Sequence, residues 1–69
     1  MDIQFATRLK NLRKEADLHQ IDLAKVLGVT QRKISYWESG KVEPDITALW
    51  MIADYFDVSI DYLCGRKEY

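Results

Sequence analysis

Cysteine, glycine and proline are scarce in this sequence of 69 residues, which contains one, three and one of them respectively. The single cysteine, Cys64, excludes a disulfide within the chain, so a hydrophobic core has to stabilise the folded state. The composition allows such a core, because 48% of the residues are apolar and eight are aromatic. A chain of this length is expected to form one domain, over residues 1–69, near the lower size limit for folding without cross-links.

Long apolar runs are missing as well. The longest, residues 48–53, is far shorter than the roughly 20 residues that span a bilayer. The first residues also lack the apolar stretch of a signal peptide. We therefore expect no membrane association and a cytoplasmic location, where the unpaired thiol of Cys64 can persist.

Residues that could support catalysis or metal binding are few. His19 is the only histidine, and no cysteine, further histidine or second acid lies at metal-ligand spacing from it. Glu15 and Asp17 are best interpreted as solvated acids, because a short helical chain offers no catalytic pocket. The sequence thus predicts no metal, no cofactor and no enzymatic activity.

The net charge is −1, but the charged residues are unevenly distributed along the chain. Residues 1–41 hold eight of the ten basic residues and carry a net charge of +3, whereas residues 42–69 carry −4. This polarity is compatible with one face directed at a polyanion. Because charge asymmetry in a short chain often reflects only solvated faces, the kind of partner has to be inferred from sequence motifs.

Apolar residues recur at helical spacing, as in Phe5, Leu9, Leu12 and Ala16, and no segment keeps the alternation of a strand. We predict an all-α, compact five-helix domain with helices at about 2–16, 20–27, 31–39, 46–57 and 60–64. The inward stripe of the fourth helix is predicted to consist of Ile46, Leu49, Ile52, Ala53 and Phe56.

Residues 20–39 predict two helices that meet at a sharp turn. Gly28 can adopt the positive φ that this turn needs, Ala24 leaves room for two backbones to approach, and Thr30 is placed to cap the second helix. The outward positions of that helix are polar, namely Gln31, Arg32, Lys33, Ser35 and Tyr36. Such side chains on an exposed helix can reach base edges and phosphates in the major groove of DNA.

Further segments extend this pattern in register across the chain. They are RLKNLRKE at 8–15, LHQ at 18–20, LAKVLGVTQRKISYWESGK at 23–41, Pro44 and IADYFDVSIDYL at 52–63. Over nearly its whole length the chain resembles the lambda-repressor/Cro-like (Xre-type) helix-turn-helix family. The resemblance implies five helices and sequence-specific binding of double-stranded DNA, most simply by a transcriptional repressor.

The resemblance also implies roles for individual residues. Base contacts are expected from Gln31, Arg32, Ser35 and Tyr36. Contacts with the DNA backbone are expected from His19, Gln20, Thr30, Lys33 and Lys41. Arg13 and Glu38 are expected to form a structural pair between the first and third helices. His19 departs from the Ser, Thr or Asn usual in the family, and imidazole is a poorer N-cap. For Tyr36, contact with DNA and packing of the ring along the protein surface both remain open.

Members of this family bind near-palindromic operators as symmetric dimers, so a homodimer on DNA is expected here. The predicted dimer surface consists of the surplus apolar residues Trp50, Met51, Tyr55 and Tyr62, although these could instead cap the core of the domain itself. An alternative function is that of an antitoxin or accessory subunit, which would contact a protein partner through the acidic C-terminal half. A protein-interaction module without DNA binding is disfavoured by the polar donors in residues 31–36.

Overall fold

A computed structural model describes residues 3–68 of the chain, and this part contains five α-helices and no strand. The helices are α1 (Phe5–Glu15), α2 (Gln20–Leu27), α3 (Gln31–Ser39), α4 (Ile46–Phe56) and α5 (Ile60–Cys64). The predicted all-α class and five helices are therefore confirmed. Helix α1 is shorter than expected, because it begins at Phe5, and the predicted start at residue 2 lies outside the described residues. Helix α4 ends one residue early, because Asp57 adopts a left-handed conformation with a φ of 55°.

Three of these helices are capped at the N-terminus by a short polar side chain. Thr30 Oγ1 accepts a hydrogen bond from the Lys33 backbone N–H (3.1 Å), and Asp45 Oδ1 accepts one from Ala48 (2.8 Å). Ser59 Oγ does the same at α5. Each cap satisfies a backbone donor that has no partner within the helix, which typically stabilises a helix by about 1 kcal/mol. The sequence-predicted boundaries at residues 31, 46 and 60 follow from these caps.

The core lies between α1, α2 and α3, and α4 and α5 close it. Its buried apolar residues are Phe5, Leu9, Leu23, Ala24, Leu27, Ile34, Trp37, Ile52, Ala53 and Leu63. Near its centre the rings of Phe5 and Trp37 meet edge to face, with centroids 6.3 Å apart. Such pairs add to the stabilisation that comes from burial of the rings.

Two residues predicted to point inward are exposed. Ile46 is 78% exposed, because it lies in the first turn of α4, about a quarter of a turn around the helix from the centre of the buried stripe. Ala16 is exposed because α1 has already ended at Glu15 and the chain turns away at Asp17, whose φ is 58°. Both were placed by helical periodicity alone, which does not fix where a helix ends or how far its neighbours cover it.

An ion pair in the protein interior joins α1 to α3. Arg13 Nε donates to Glu38 Oε2 (2.6 Å) and Arg13 Nη2 donates to Glu38 Oε1 (3.0 Å). The two side chains are only 10% and 4% exposed. Hydrogen bonding and attraction to Glu38 outweigh desolvation and raise the pKa of Arg13 above its ordinary value. The charged form of the guanidinium is therefore favoured despite its burial.

The ion pair of Arg13 and Glu38 also forms hydrogen bonds with the segment between α1 and α3. Arg13 Nη1 donates to the carbonyl oxygen of Leu18 (2.7 Å), and the side-chain amide of Gln20 donates to Glu38 Oε1 (3.2 Å). Each charged group thus has several partners, as a buried charge requires. One ion pair consequently fixes α1, the start of α2 and α3 relative to one another.

A second buried arginine, Arg8, was not singled out by the sequence. Its Nη1 donates to the carbonyl oxygens of Tyr62 (2.9 Å) and Lys67 (2.7 Å), and its Nη2 donates to the side chain of Gln4 (3.1 Å). The guanidinium also lies over the Tyr62 ring, 4.2 Å from the centroid. Arg8 therefore binds α5 and the residues after it to α1, and it is not available to an external anion.

We predict that Glu38→Ala destabilises the fold, because it leaves the Arg13 charge buried and unpaired. The expected loss in the free energy of unfolding is about 3–5 kcal/mol, measured by denaturant titration. Glu43→Ala, which removes an exposed carboxylate, is the matched control and should change stability by less than about 0.5 kcal/mol. Equal unfolding midpoints for the two variants would show that the pair contributes nothing.

Candidate nucleic-acid interface

Helices α2 and α3 meet at a tight turn centred on Gly28. Gly28 has a φ of 70°, a left-handed conformation that glycine adopts without strain. The Val29 backbone N–H donates to the Ala24 carbonyl oxygen (3.0 Å), which closes the end of α2. Because Ala24 and Ile34 are both buried, the inner faces of the two helices pack together and the opposite face of α3 is left at the surface.

The exposed face of α3 carries the residues predicted to contact bases. Gln31 and Arg32 are exposed, Ser35 is half-buried, and Tyr36 is exposed. Their spacing of four residues, 31 with 35 and 32 with 36, places them side by side on one helix face. The structure therefore brings the four predicted base-contacting residues together, and Arg32 and Gln31 lie in the first turn.

A groove of about 380 Å³ runs along this face. It is lined by Gly28, Val29, Thr30, Arg32, Lys33, Tyr36 and Val42. Val42 was not predicted to belong to the site, because it follows the end of α3 and carries no polar group. The left-handed conformation of Gly40, whose φ is 80°, turns the chain so that Val42 lies beside α3. A glycine directly after a helix was the only sequence signal that the chain reverses at this point.

The residues predicted to contact the DNA backbone surround this face. Thr30 and Lys33 lie at the N-terminus of α3, and Lys41 follows its C-terminus, with its Nζ 5.3 Å from the centroid of the Tyr36 ring. All three are exposed. Their positions at both ends of α3 suit contacts with phosphates on either side of a groove.

His19 and Gln20 lie at the N-terminus of α2. The His19 backbone N–H donates to Asp22 Oδ2 (2.9 Å), so a carboxylate three residues into the helix ties back its start. His19 stands at the N-cap position of α2, where Ser, Thr or Asn would cap better, and this bond stabilises the start of the helix in their place. Gln20 uses one amide hydrogen on Glu38 and keeps a second for another acceptor.

The positive charge of the first 41 residues is distributed differently from what the sequence predicted. Arg8 and Arg13 are buried and bound within the protein, so they contribute no charge to an external surface. The exposed basic residues in this segment are Lys10, Lys14, Lys25, Arg32, Lys33 and Lys41. Three of these six lie on α3 or two residues after its end, and the other three lie on α1 and α2.

Three of the residues predicted to form a dimer surface lie on α4. Trp50 is 64% exposed, and Met51 and Tyr55 are also exposed. The exposed Ile46 lies one turn before Trp50 on the same side of α4, whereas Met51 and Tyr55 lie one turn apart on another side of the helix. Tyr62 differs from these three, because it is half-buried and its ring is covered by the Arg8 guanidinium.

Residues 3–68 contain no cluster of three or more His, Cys, Asp or Glu side chains that could hold a metal ion. None of the described helices combines the length and apolar character that a membrane span needs.

Comparison with known proteins identifies the family. Residues 9–63 match the helix-turn-helix family HTH_3. The chain is 39% identical over 66 residues to the HTH-type transcriptional activator BcrR of Enterococcus faecalis, covering 96% of this chain and 32% of BcrR. It is 39% identical over 59 residues to the cryptic phage CTXphi transcriptional repressor RstR of Vibrio cholerae, covering 86% of this chain and 53% of RstR.

Solved structures agree with the sequence relatives. The P22 c2 repressor, determined in complex with a synthetic operator, superposes with a TM-score of 0.85 at 30% identity, covering 91% of this chain and 96% of that one. The chain spans about a third to a half of the two curated relatives. It belongs to the helix-turn-helix family of Xre/lambda-repressor-like transcriptional regulators.

Proposed function

We propose that this protein is a transcriptional repressor that binds a specific, near-palindromic DNA operator. The observation that carries the proposal is the polar face of α3, where Gln31, Arg32, Ser35 and Tyr36 lie together on a helix fixed from behind by buried residues. A rigid helix with several hydrogen-bond donors suits the major groove, where each base pair presents a distinct pattern of donors and acceptors.

Base recognition is assigned to the first turn of α3. The Arg32 guanidinium can donate two hydrogen bonds to O6 and N7 of guanine, and the Gln31 amide can bond N6 and N7 of adenine. Ser35 and Tyr36, one turn later, contact neighbouring bases. Lys33, Lys41, Thr30, His19 and the free amide hydrogen of Gln20 contact phosphates and set the register of the domain on the duplex.

Repression requires less of the protein than activation does. A domain seated in the major groove blocks other proteins from the same DNA by occupancy alone, whereas an activator also needs a surface that recruits a partner. RstR and the P22 c2 protein carry the word repressor in their names, which supports this choice, although BcrR is named an activator. All three are regulators, so no observation favours the antitoxin alternative.

Specific binding should be strongly dependent on salt despite the net charge of −1. Each phosphate neutralised by an exposed lysine or arginine releases counterions, so log K should fall with log salt by about 0.9 per contact. A duplex selected from a random DNA pool and titrated at several salt concentrations provides the measurement. Affinity that stays constant between low and moderate salt, or failure to select any sequence, would contradict the proposal.

Arg32→Ala should relax base preference at one position of each half-site, at a cost of about 1–3 kcal/mol for the correct sequence. Lys33→Ala is the matched control, because it removes an exposed charge assigned to a phosphate and should weaken all sequences alike and reduce the salt slope by about 1. Gln20→Ala should also weaken all sequences alike. Competition binding against single-base operator variants distinguishes these effects. If Arg32→Ala weakens every sequence equally, Arg32 contacts a phosphate.

We also propose a homodimer on the operator, supported by the apolar residues that α4 leaves exposed, Ile46 and Trp50 on one side and Met51 and Tyr55 on another. A cavity of about 210 Å³ between α3 and α4 is lined by both Lys33 and Met51, so the side with Met51 adjoins the recognition helix. Two protomers joined through α4 can therefore place both recognition helices on one side of a duplex. Their half-site centres should then lie about 10 bp apart, one helical turn.

Met51→Lys should reduce cooperative binding to the full operator while leaving affinity for a single half-site unchanged, because it places like charges at the pairing surface. Val26→Lys adds the same charge to an exposed valine on α2 and should leave cooperativity intact. Sedimentation of the protein with the selected duplex measures stoichiometry directly. One protomer per palindrome at saturation would contradict the dimer.

A further inference from the structure

The groove beside α3 has an apolar part that hydrogen bonding to bases does not use. Val29, Tyr36 and Val42 line it together with the cationic Arg32 and Lys33. Val42 is 43% exposed although it is aliphatic. An exposed valine within a polar face gains hydrophobic stabilisation only if a ligand covers it.

Backbone hydrogen bonds place Val42 close to the C-terminal end of α3. The Gly40 N–H donates to the Trp37 carbonyl oxygen (3.3 Å) and the Lys41 N–H donates to the Tyr36 carbonyl oxygen (3.0 Å), the two bonds of a Schellman motif. The Val42 N–H also points to the Tyr36 carbonyl oxygen (3.5 Å). This motif fixes the position of Val42 relative to the last turns of α3.

The Tyr36 side chain is restrained as well. The Lys41 ammonium lies 5.3 Å from the centroid of its ring, within the range of a cation–π interaction. Val29, Tyr36 and Val42 line the apolar part of the groove in the unbound domain. A surface that is present before binding lowers the entropic cost of binding there.

One group on DNA matches this part of the groove. The major groove exposes donors, acceptors and a single apolar substituent, the C5-methyl group of thymine. We propose that Tyr36 and Val42 contact the C5-methyl group of a thymine in each operator half-site, which makes Val42 a specificity-determining residue. The inference rests on the proposed function, because it assumes that the face of α3 enters the major groove.

Replacement of thymine by deoxyuridine tests the contact, because it removes only the methyl group. In the selected operator each thymine is replaced in turn, in both half-sites, and the dissociation constant is measured for every duplex. Loss of one buried methyl group should weaken binding about fourfold at one symmetric pair of positions, counted per half-site. At the other thymines, the dissociation constant of the deoxyuridine duplex divided by that of the thymine duplex should be close to one.

A variant of the protein tests whether Val42 causes the sensitivity to loss of the thymine methyl group. Val42→Thr keeps the branched shape but exchanges one of the two methyl groups for a hydroxyl, so it should reduce the ratio between the deoxyuridine and thymine dissociation constants at that position, while Tyr36 retains part of the effect. Val26→Thr makes the same exchange at a valine of similar exposure, 48%, outside the groove, and should preserve the fourfold ratio. The coupling between methyl group and valine in this double-mutant cycle is the quantity that defines the contact.

Three other outcomes would each overturn the inference. If no thymine is sensitive to loss of its methyl group in an operator that the protein binds specifically, the groove contacts no methyl group and the proposed function stands. If the sensitivity is unchanged in Val42→Thr, it arises from another residue or from DNA shape. If no duplex is bound specifically, the proposed function fails, and the inference fails with it.

Discussion

The ion pair between Arg13 and Glu38 is the interaction on which the rest of the structure depends. Glu38 belongs to α3, the helix that carries the polar face, and Arg13 belongs to α1 on the other side of the core. Through Leu18 and Gln20 the same two side chains also hold the start of α2. A buried pair adds little net stability relative to apolar packing, but its hydrogen bonds are directional and therefore constrain how the three helices lie relative to one another.

The position of the polar face of α3 depends on this arrangement of the three helices. Recognition of a base edge requires a donor to be held within a fraction of an ångström, which a helix with a locked inner face provides better than a loop. The turn at Gly28 and the motif around Gly40 extend the same rigidity to the two ends of α3. The residues assigned to bases and to the thymine methyl group thus lie on α3 or just after it, and His19 and Gln20, assigned to phosphates, lie at the start of α2, which the ion pair holds against α3.

Local signals accounted for most of the fold, and distant contacts account for what the sequence did not predict. The caps at Thr30 and Asp45 and the terminator Gly28 act within a few residues, so helix boundaries are visible in the sequence. Arg8 binds residues 54 to 60 positions away, and no local pattern reveals that a basic residue is buried. The exposure of Ile46 and the placement of Val42 likewise depend on how helices pack and where the chain reverses.

Arg8 has a consequence for the connectivity of the domain. It binds Gln4 at one end of the described chain and the carbonyl oxygens of Tyr62 and Lys67 at the other, and the Gln4 N–H donates to the Cys64 carbonyl oxygen (3.2 Å). The two ends are thus neighbours in space. A circular permutant in which a short linker joins these two ends and the chain is opened in an exposed loop should therefore keep the buried core residues and change only the order of the helices.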